Sequence, residues 1–156
     1  MTARNQLLLL LAENLTIFVK HMHPHDTPES ERRCILKIGG KITPALKHAL
    51  MMIGTDGSLN VSQLATMLKV TPGAATQHVA ALEKLKLVER KASSADRREV
   101  TIQLTALGHD MYKDIRAEFL QSLDIAFEDL DDEELQQFVE LMSKANAKYI
   151  NEGNPA

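Results

Sequence analysis

The sequence is poor in the residues that build several common classes of protein. It has one cysteine and no tryptophan in 156 residues, and aromatic residues make up only 4% of it. A single cysteine excludes a disulfide framework within the chain. The apolar run at residues 7–12 is too short to cross a membrane, and Glu13 and Asn14 interrupt it at once, which argues against a signal peptide. We therefore expect a cytoplasmic protein without membrane contact.

Signatures of catalysis are also absent from the sequence. There is no glycine-rich phosphate loop, no paired metal motif, and no serine or cysteine nucleophile with a recognisable partner. We predict that the protein is not an enzyme and uses no cofactor. Hydrophobic residues nevertheless make up 44% of the chain, which is enough for the core of one compact domain with helical arms.

Residues 61–85 carry the pattern of two short helices joined by a tight break. Apolar residues of the first helix recur at helical spacing, and Ser62 is its expected N-cap. Thr71 followed by Pro72 predicts the start of the second helix, because a hydroxyl caps free amides and proline suits a first turn. The segment therefore predicts a helix-turn-helix.

The second helix separates residues that should pack inward from residues that can point outward. The inward set is Ala75, Val79, Leu82 and Leu85. The outward set is Gly73, Thr76, Gln77, Ala80 and Lys84. The outward set contains no acid, and its small residues would let the helix approach the major groove of DNA, where Thr and Gln can hydrogen-bond to bases or phosphates. An ordinary amphipathic helix pair would show a similar pattern.

The residues after Leu87 change the balance between those two interpretations. The segments LVERKA and EVTIQLT flank the polar stretch SSADRR, and the apolar period changes from 3.6 to 2, which predicts a two-stranded hairpin. Its tip carries Arg97 and Arg98 beside Asp96. Arginines on a ribbon next to a groove-reading helix can reach phosphates or a narrow minor groove. A third short strand is expected at residues 59–61.

These motifs together resemble the winged-helix core of the MarR (multiple antibiotic resistance regulator) family of bacterial transcription factors. The residues that carry the resemblance are Asp96, Arg97 and Arg98, followed by Leu104, Thr105 and Gly108, which match a wing pattern of Asp-x-Arg and a later Leu-Thr-x-x-Gly. The resemblance implies that Arg98 enters the minor groove and that Asp96 holds the wing in shape. It also implies that Thr76 and Gln77 face the major groove.

Two positions depart from the family pattern. Gln77 stands where many members carry a basic residue, so their operator preference does not transfer. Lys86 stands where glycine is common, and a left-handed lysine there would be strained. The complete predicted DNA-binding set is Thr71, Gly73, Thr76, Gln77, Lys84, Arg97 and Arg98.

The net charge of −3 is unevenly distributed along the chain. Residues 61–100 hold seven basic and four acidic residues, a local balance of +3, whereas residues 106–156 hold four against twelve, a balance of −8. Local charge governs docking on phosphates, so the overall acidity does not exclude double-stranded DNA as a partner.

Helices on either side of the winged helix-turn-helix complete the predicted fold, which is mainly α with a small β wing. We expect a first helix over 3–21, followed by a connecting loop over 21–33 that can contain a short turn of helix. A helix from Thr43 and Pro44 that stops at Gly54, a long helix to about 127, and a last helix capped by Asp131 or Asp132 should follow. The predicted divisions are 1–42 and 106–156 for dimerisation and 43–105 for DNA binding. Apolar stripes on the first and last helices have too little partner surface in one small head, which predicts a homodimer on a pseudo-palindromic operator.

The predicted function is a transcriptional regulator, specifically a repressor that a small aromatic or lipophilic effector releases. The resemblance implies an effector site between the dimer base and the DNA-reading heads. Candidate lining residues are Phe18, Met22, Met51, Met52, Met111, Tyr112 and Phe119. Ordinary core positions would explain most of them equally well.

Three alternatives remain open on the sequence. Arg32 and Arg33 precede Cys34 and could stabilise a thiolate, so a redox-sensing repressor is one, although a buried inert thiol is commoner. A winged helix used only for protein contacts is the second. The third is zinc binding by the histidines at 21, 23 and 25. We predict no metal site there, because no carboxylate or thiolate lies at ligand spacing and a proline breaks the helical geometry.

Overall fold

The computed structural model describes residues 2–21, 28–92 and 100–152. Its elements are α1 (Ala3–His21), α2 (Pro28–Ile38), α3 (Pro44–Asp56), α4 (Val61–Leu68), α5 (Pro72–Lys84), β1 (Val88–Ala92), β2 (Val100–Leu104), α6 (Ala106–Ala126) and α7 (Asp132–Glu152). The two strands form an antiparallel sheet. This architecture confirms the prediction of a mainly α fold with a small β wing.

The chain forms two compact units. One, which we call the head, spans Pro24–Phe119, and the other, the terminal unit, combines Met1–His23 with Leu120–Ala156. The head therefore contains α2 to α5, the sheet and the first part of α6. The terminal unit contains α1, the last turns of α6, and α7.

The core of the head is built from apolar residues that α3, α4, α5, the sheet and α6 each contribute. Its largest fully buried side chains are Leu50, Ile53, Leu64, Val79, Leu82, Leu87, Ile102 and Met111. Burying one such side chain contributes about 1.5–3 kcal/mol. Since each of these elements supplies at least one of them, the core holds the helix pair α4–α5 against both α3 and the sheet.

Helix α3 begins where the sequence predicted and ends later. Thr43 is its N-cap and accepts a hydrogen bond from the Leu46 amide at 3.3 Å. The predicted stop at Gly54 was wrong, because the helix continues to Asp56 and closes at Gly57, whose φ is +79°. Gly54 has a packing role instead: a Cβ there would lie 2.4 Å from a ring carbon of Tyr112 in α6.

Helix α4 is capped by Asn60, so the prediction of Ser62 was wrong. The Asn60 side chain accepts from the Gln63 amide at 2.8 Å, and the Gln63 side chain accepts from the Asn60 amide at 2.8 Å. This reciprocal pair is a capping box, and it begins the helix one residue before Ser62. The box also ends the predicted third strand. Only Leu59 bridges to Ile102, through N–H···O bonds of 3.2 and 2.7 Å.

Helix α2 occupies much of the stretch predicted to be a loop. It begins at Pro28 and includes Arg32 and Arg33, so residues 28–33 are more helical than the predicted loop with a short turn of helix. Proline in the first turn followed by glutamates favours a helix start, a signal that the two prolines and many polar groups of the stretch concealed. Lys37 near its end forms an ion pair with Asp114 of α6, which joins the helix to the rest of the head.

The terminal unit has a different character. Asp131 caps α7 by accepting from the amides of Glu133 and Glu134 at 3.0 and 2.9 Å, which confirms one of the two predicted caps. The ring of Phe127 lies 5.2 Å from that of Phe18 and 5.3 Å from that of Phe138. Outside this aromatic cluster, residues 7–11 of α1 are leucines that are each 50–67% exposed.

Candidate nucleic-acid interface

Helix α5 presents the two faces that its sequence predicts. Ala75, Val79 and Leu82 are fully buried against the head core. The five outward residues, Gly73, Thr76, Gln77, Ala80 and Lys84, are all exposed. Thr71 is the N-cap and accepts from the Ala74 amide at 3.2 Å, and the helix begins at Pro72 as expected.

The first turn of α5 is open to solvent. A Cβ on Gly73 would meet nothing nearer than the Thr71 hydroxyl at 4.0 Å. The Thr76 hydroxyl donates to the Pro72 carbonyl at 2.9 Å and keeps its lone pairs for a donor from outside. This end of the helix thus combines an exposed N-terminus, hydroxyl groups and little side-chain bulk, and such a surface can approach phosphates and base edges closely.

Helix α4 closes immediately before α5 in a left-handed turn. Lys69 has φ +53° and ψ +43°, its amide donates to the Thr66 carbonyl at 3.1 Å, and the Val70 amide donates to the Ala65 carbonyl at 3.0 Å. These two bonds are the pattern of a Schellman closure, a motif that usually places glycine in the left-handed position. Two residues later Thr71 starts α5, so the turn fixes the angle between the two helices.

The exit of α5 repeats the same closure. Lys86 has φ +59°, its amide donates to the Glu83 carbonyl at 2.8 Å, and the Leu87 amide donates to the Leu82 carbonyl at 2.9 Å. The sequence indicated strain at this position, and the left-handed conformation of Lys86 confirms it.

The wing follows directly from this exit. Val88 of β1 lies opposite Leu104 of β2, Arg90 lies opposite Ile102, and the ladder continues to the pair Ala92 and Val100. The predicted tip residues Asp96, Arg97 and Arg98 lie outside the described residues. The described part of the wing therefore establishes where the tip starts and ends.

Ion pairs remove the acidic character of the α5 exit. The Arg90 guanidinium Nε lies 3.2 Å from both carboxylate oxygens of Glu83, the only acid of α5. Lys91 pairs with Glu89 at 2.8 Å on the same strand. Lys84 is exposed, and no ion pair to it is found among the described residues. The accessible charge along the outer side of α5 is therefore positive.

Comparison with known proteins relates the central part of this head to a protein family. The model of the MarR family matches residues 42–100. The HTH-type transcriptional repressor MdtR of Bacillus subtilis is 33% identical over 76 residues, which are 49% of this chain and 49% of that protein. This similarity to the MarR family covers less than half of the chain. The match spans about half the length of this curated relative.

Solved structures extend the likeness of this chain to known proteins beyond the head. The YusO protein from Bacillus subtilis is 25% identical, with a TM-score of 0.57 over 94% of this chain and 99% of that one. A MarR family protein from Bacillus stearothermophilus is 21% identical, with a TM-score of 0.73 over 96% and 99%. The second likeness concerns the fold alone. Both comparisons cover the terminal helices as well as the winged helix-turn-helix.

The Leu-Thr-x-x-Gly part of the MarR wing pattern has a physical explanation here. Thr105 caps α6, since its hydroxyl accepts from the Gly108 amide at 3.0 Å, and the same hydroxyl donates to the Lys86 carbonyl at 2.6 Å. Its own amide donates to the Leu87 carbonyl at 3.0 Å. A Cβ on Gly108 would lie 1.9 Å from that Leu87 oxygen. One threonine and one glycine thus attach the start of α6 to the exit of α5.

The candidate effector-site residues are distributed over both units. Met51, Met52 and Tyr112 are half-buried at the edge of the head core, and Met111 is buried within it. Phe119 is 36% exposed at the end of the head, whereas Phe18 belongs to the aromatic cluster of the terminal unit. Met22 lies outside the described residues. Within the head, the ring of Tyr112 beside Gly54 brings α3 and α6 together near both methionines of α3.

The remaining candidate sites of the sequence receive less support. Cys34 is 7% exposed and belongs to the head core, a setting in which thiols are usually inert. His23 and His25 lie outside the described residues, and no group of potential metal ligands is found in the part that is described. Among the helices that the structure describes, none has the length and apolarity needed to cross a membrane.

Sequence reasoning missed three features of the interface. The capping box of α4 was visible as Asn60 followed three residues later by Gln63. The left-handed turn at Lys69 had no such signal, because lysine is not a residue type that predicts this conformation. The tie from Thr105 to the Lys86 carbonyl joins residues far apart in sequence, and only the packed structure reveals it.

Proposed function

We propose that this protein is a homodimeric, sequence-specific DNA-binding transcriptional regulator that acts as a repressor. The observation that carries the proposal is the outer side of α5, which is exposed, carries small or uncharged side chains beside the basic Lys84, and has no unpaired acid among the described residues. The MarR family model covers this helix, and the relative MdtR is described as a transcriptional repressor. Packing within the chain does not explain the character of this face, whereas docking on DNA does.

In this proposal α5 enters the major groove by its N-terminal half. Thr71 and Gly73 approach the phosphates beside the first turn, and Thr76 and Gln77 face base edges. Lys84 contacts the backbone further along the helix. Arg97 and Arg98 on the wing reach the adjacent minor groove, with Asp96 ordering the tip, as the family resemblance implies.

Dimerisation is supported by the apolar surface of the terminal unit. Large apolar side chains with more than half of their surface exposed include Leu7, Leu9, Leu10, Leu11, Ile17, Leu120, Ile125, Val139 and Leu141. So many large, exposed apolar side chains in one unit mark an interface. A second copy would cover it and would also place two heads about one helical turn apart on a pseudo-palindromic operator. We assign dimerisation to 1–42 and 106–156, and DNA binding to 43–105.

Release by a small aromatic or lipophilic effector is the regulatory part of the proposal. Half-buried Met51, Met52 and Tyr112 provide adaptable, polarisable surface at the edge of the head. A ligand that prefers a head spacing unsuited to the operator lowers DNA affinity, and a preference of a few kcal/mol is sufficient.

A selection from random duplex DNA tests the proposal. Rounds of binding by the full chain should enrich a pseudo-palindrome with half-sites separated by about one helical turn, roughly 10–10.5 base pairs. Affinity for the enriched duplex should fall steeply with salt concentration, because cation release accompanies phosphate contact. Failure of any sequence to become enriched would contradict sequence-specific recognition.

A further inference from the structure

The non-glycine residues with positive φ in the described chain are Lys69 and Lys86. Lys69 lies two residues before the N-cap of α5, and Lys86 lies two residues after its last residue. The two lysines therefore bracket the helix that the proposed function inserts into DNA. Their shared conformation and their placement on either side of α5 call for one explanation.

The backbone around each lysine is fixed by hydrogen bonds. Each amide donates to the carbonyl three residues earlier, and the following amide donates to the carbonyl five residues before it. Lys86 is held additionally by the Thr105 hydroxyl on its carbonyl oxygen. Left-handed lysine is unfavourable compared with glycine, so both positions keep a side chain at a conformational cost. Neither side chain is needed for the closure itself, because its bonds are made by the backbone.

Both ammonium groups are available to an outside partner. Lys69 and Lys86 are exposed, and within the described residues neither has an ion pair. Neighbouring cations already have acidic partners, because Arg90 pairs with Glu83 and Lys91 pairs with Glu89. The cations left unpaired around α5 therefore stand at its two ends, with Lys84 beside the second.

The dimensions of α5 suit contacts at both ends. Thirteen residues make a helix about 20 Å long, and the major groove is about 12 Å wide. Residues just beyond either end of such a helix lie near the phosphate backbones that border the groove. A compact ammonium group suits phosphate as a point charge and carries no base preference.

We propose that Lys69 and Lys86 are phosphate-binding residues that clamp the two ends of α5 onto the DNA backbone. This inference rests on the proposed function and adds two binding residues to it. The closures fix the backbone at both lysines, and so the direction in which each side chain leaves it, before DNA arrives. The contacts contribute affinity and register, and they leave sequence choice to the residues on α5 itself.

Lysine-to-glycine variants test the clamp without strain on the fold. Lys69→Gly and Lys86→Gly remove the charge and relieve the left-handed conformation, so thermal stability should be kept or raised. Lys69→Gln and Lys86→Gln remove the charge without introducing glycine. They replace the glycine variants if a glycine loosens the turn. Lys69→Arg and Lys86→Arg retain the charge. Lys113→Gln, at an exposed position of α6, is the matched control.

The measurement is the salt dependence of binding to two mixed-sequence duplexes of about three helical turns each. In a dimer each substitution removes two contacts, so the slope of log K against log salt should fall in magnitude by about 1.8, with an affinity loss on the order of tenfold on both duplexes. The arginine variants and Lys113→Gln should match the wild type. An unchanged slope in the charge-removing variants overturns the clamp, as does a loss confined to one duplex. Absence of salt-dependent binding by the wild type overturns the proposed function together with the clamp.

Discussion

Most leucines of the head and most leucines of the terminal unit have opposite surroundings, and Leu36 of α2, which is 84% exposed, is an exception within the head. Leu50, Leu64 and Leu82 of the head have no exposed surface, whereas Leu9 and Leu10 of α1 retain more than half of theirs. Isolated exposed leucines are ordinary on protein surfaces, but a run of five on one helix is not. Five consecutive helical residues also point in all directions around the axis, so one flat partner surface would leave some uncovered.

This difference separates two sources of stability. The head buries most of its large apolar side chains against elements of its own unit, so its stability should depend little on protein concentration. The terminal unit has one internal aromatic cluster and a large uncovered surface, so its stability should depend on association. Substitutions in the two units should therefore differ in how their effects respond to dilution.

The largest expected effect comes from Gly108→Ala in the head. The new methyl group would meet the Leu87 carbonyl oxygen at 1.9 Å, so the start of α6 must move away from the exit of α5. Denaturant unfolding should show a loss of about 3 kcal/mol or more at every protein concentration, since backbone cannot yield as a side chain does. Gly40→Ala is the control, because its Cβ would lie 3.8 Å from Leu85. Equal stability of the two variants would show that this close approach does not constrain the head.

Leu141→Glu in α7 should act on association instead. Leu141 is 67% exposed within one chain, and placing a charge in a dimer interface forfeits about 1.5–3 kcal/mol of burial per leucine. Sedimentation equilibrium should show at least a hundredfold weaker dimer, with secondary structure intact. Gln137→Glu, on an exposed position of the same helix, should leave association nearly unchanged. A Leu141→Glu protein that dimerises like the wild type would place the interface elsewhere.

Thr105→Val should cost about 1–2 kcal/mol of head stability, because it removes both the cap of α6 and the hydrogen bond to the Lys86 carbonyl. Thr105→Ser keeps the hydroxyl and should recover most of that loss. Thermal unfolding of the three proteins measures the difference. If valine and serine variants unfold at the same temperature, the hydroxyl does not join α5 to α6 in the way described.

The smallest expected effect separates the two candidate caps of α4. Asn60→Ala should destabilise the head by about 1 kcal/mol, while Ser62→Ala should change its stability by less than about 0.5 kcal/mol. Chemical denaturation at one protein concentration is sufficient to compare them. A larger loss of stability from Ser62→Ala than from Asn60→Ala would indicate that Ser62, as the sequence first suggested, is the cap of α4.

The sequence predicted those parts of the fold that short-range signals control. Thr43 and Thr71, each followed by proline, mark helix starts that the structure confirms, and the spacing of apolar residues in α5 predicted its buried face correctly. Predictions failed where one sequence signal is compatible with two different structures. Gly54 looked like a helix end but serves close packing against Tyr112, and no local pattern distinguishes these uses of glycine.

The sequence predicted which residues the candidate site contains, but not which hydrogen bonds and ion pairs connect them. The exposed residues of α5 followed from periodicity, whereas the neutralisation of Glu83 by Arg90 and the tie from Thr105 to Lys86 depend on how the wing folds back on the helix. Lys69 could not be anticipated, because its left-handed conformation reflects the geometry of the helix closure and not a preference of lysine.

The central claim is that the outer face of α5 reads DNA, and Gln77 tests it most directly. Gln77 is exposed on this face, so Gln77→Ala should leave folding and dimerisation unchanged. Titration of a selected duplex should show affinity lower by about 1–3 kcal/mol and weaker discrimination at the contacted base pair. Gln121→Ala, at an exposed position of α6, should bind like the wild type. Equal affinity and equal specificity of the Gln77→Ala and Gln121→Ala proteins would contradict DNA reading by α5.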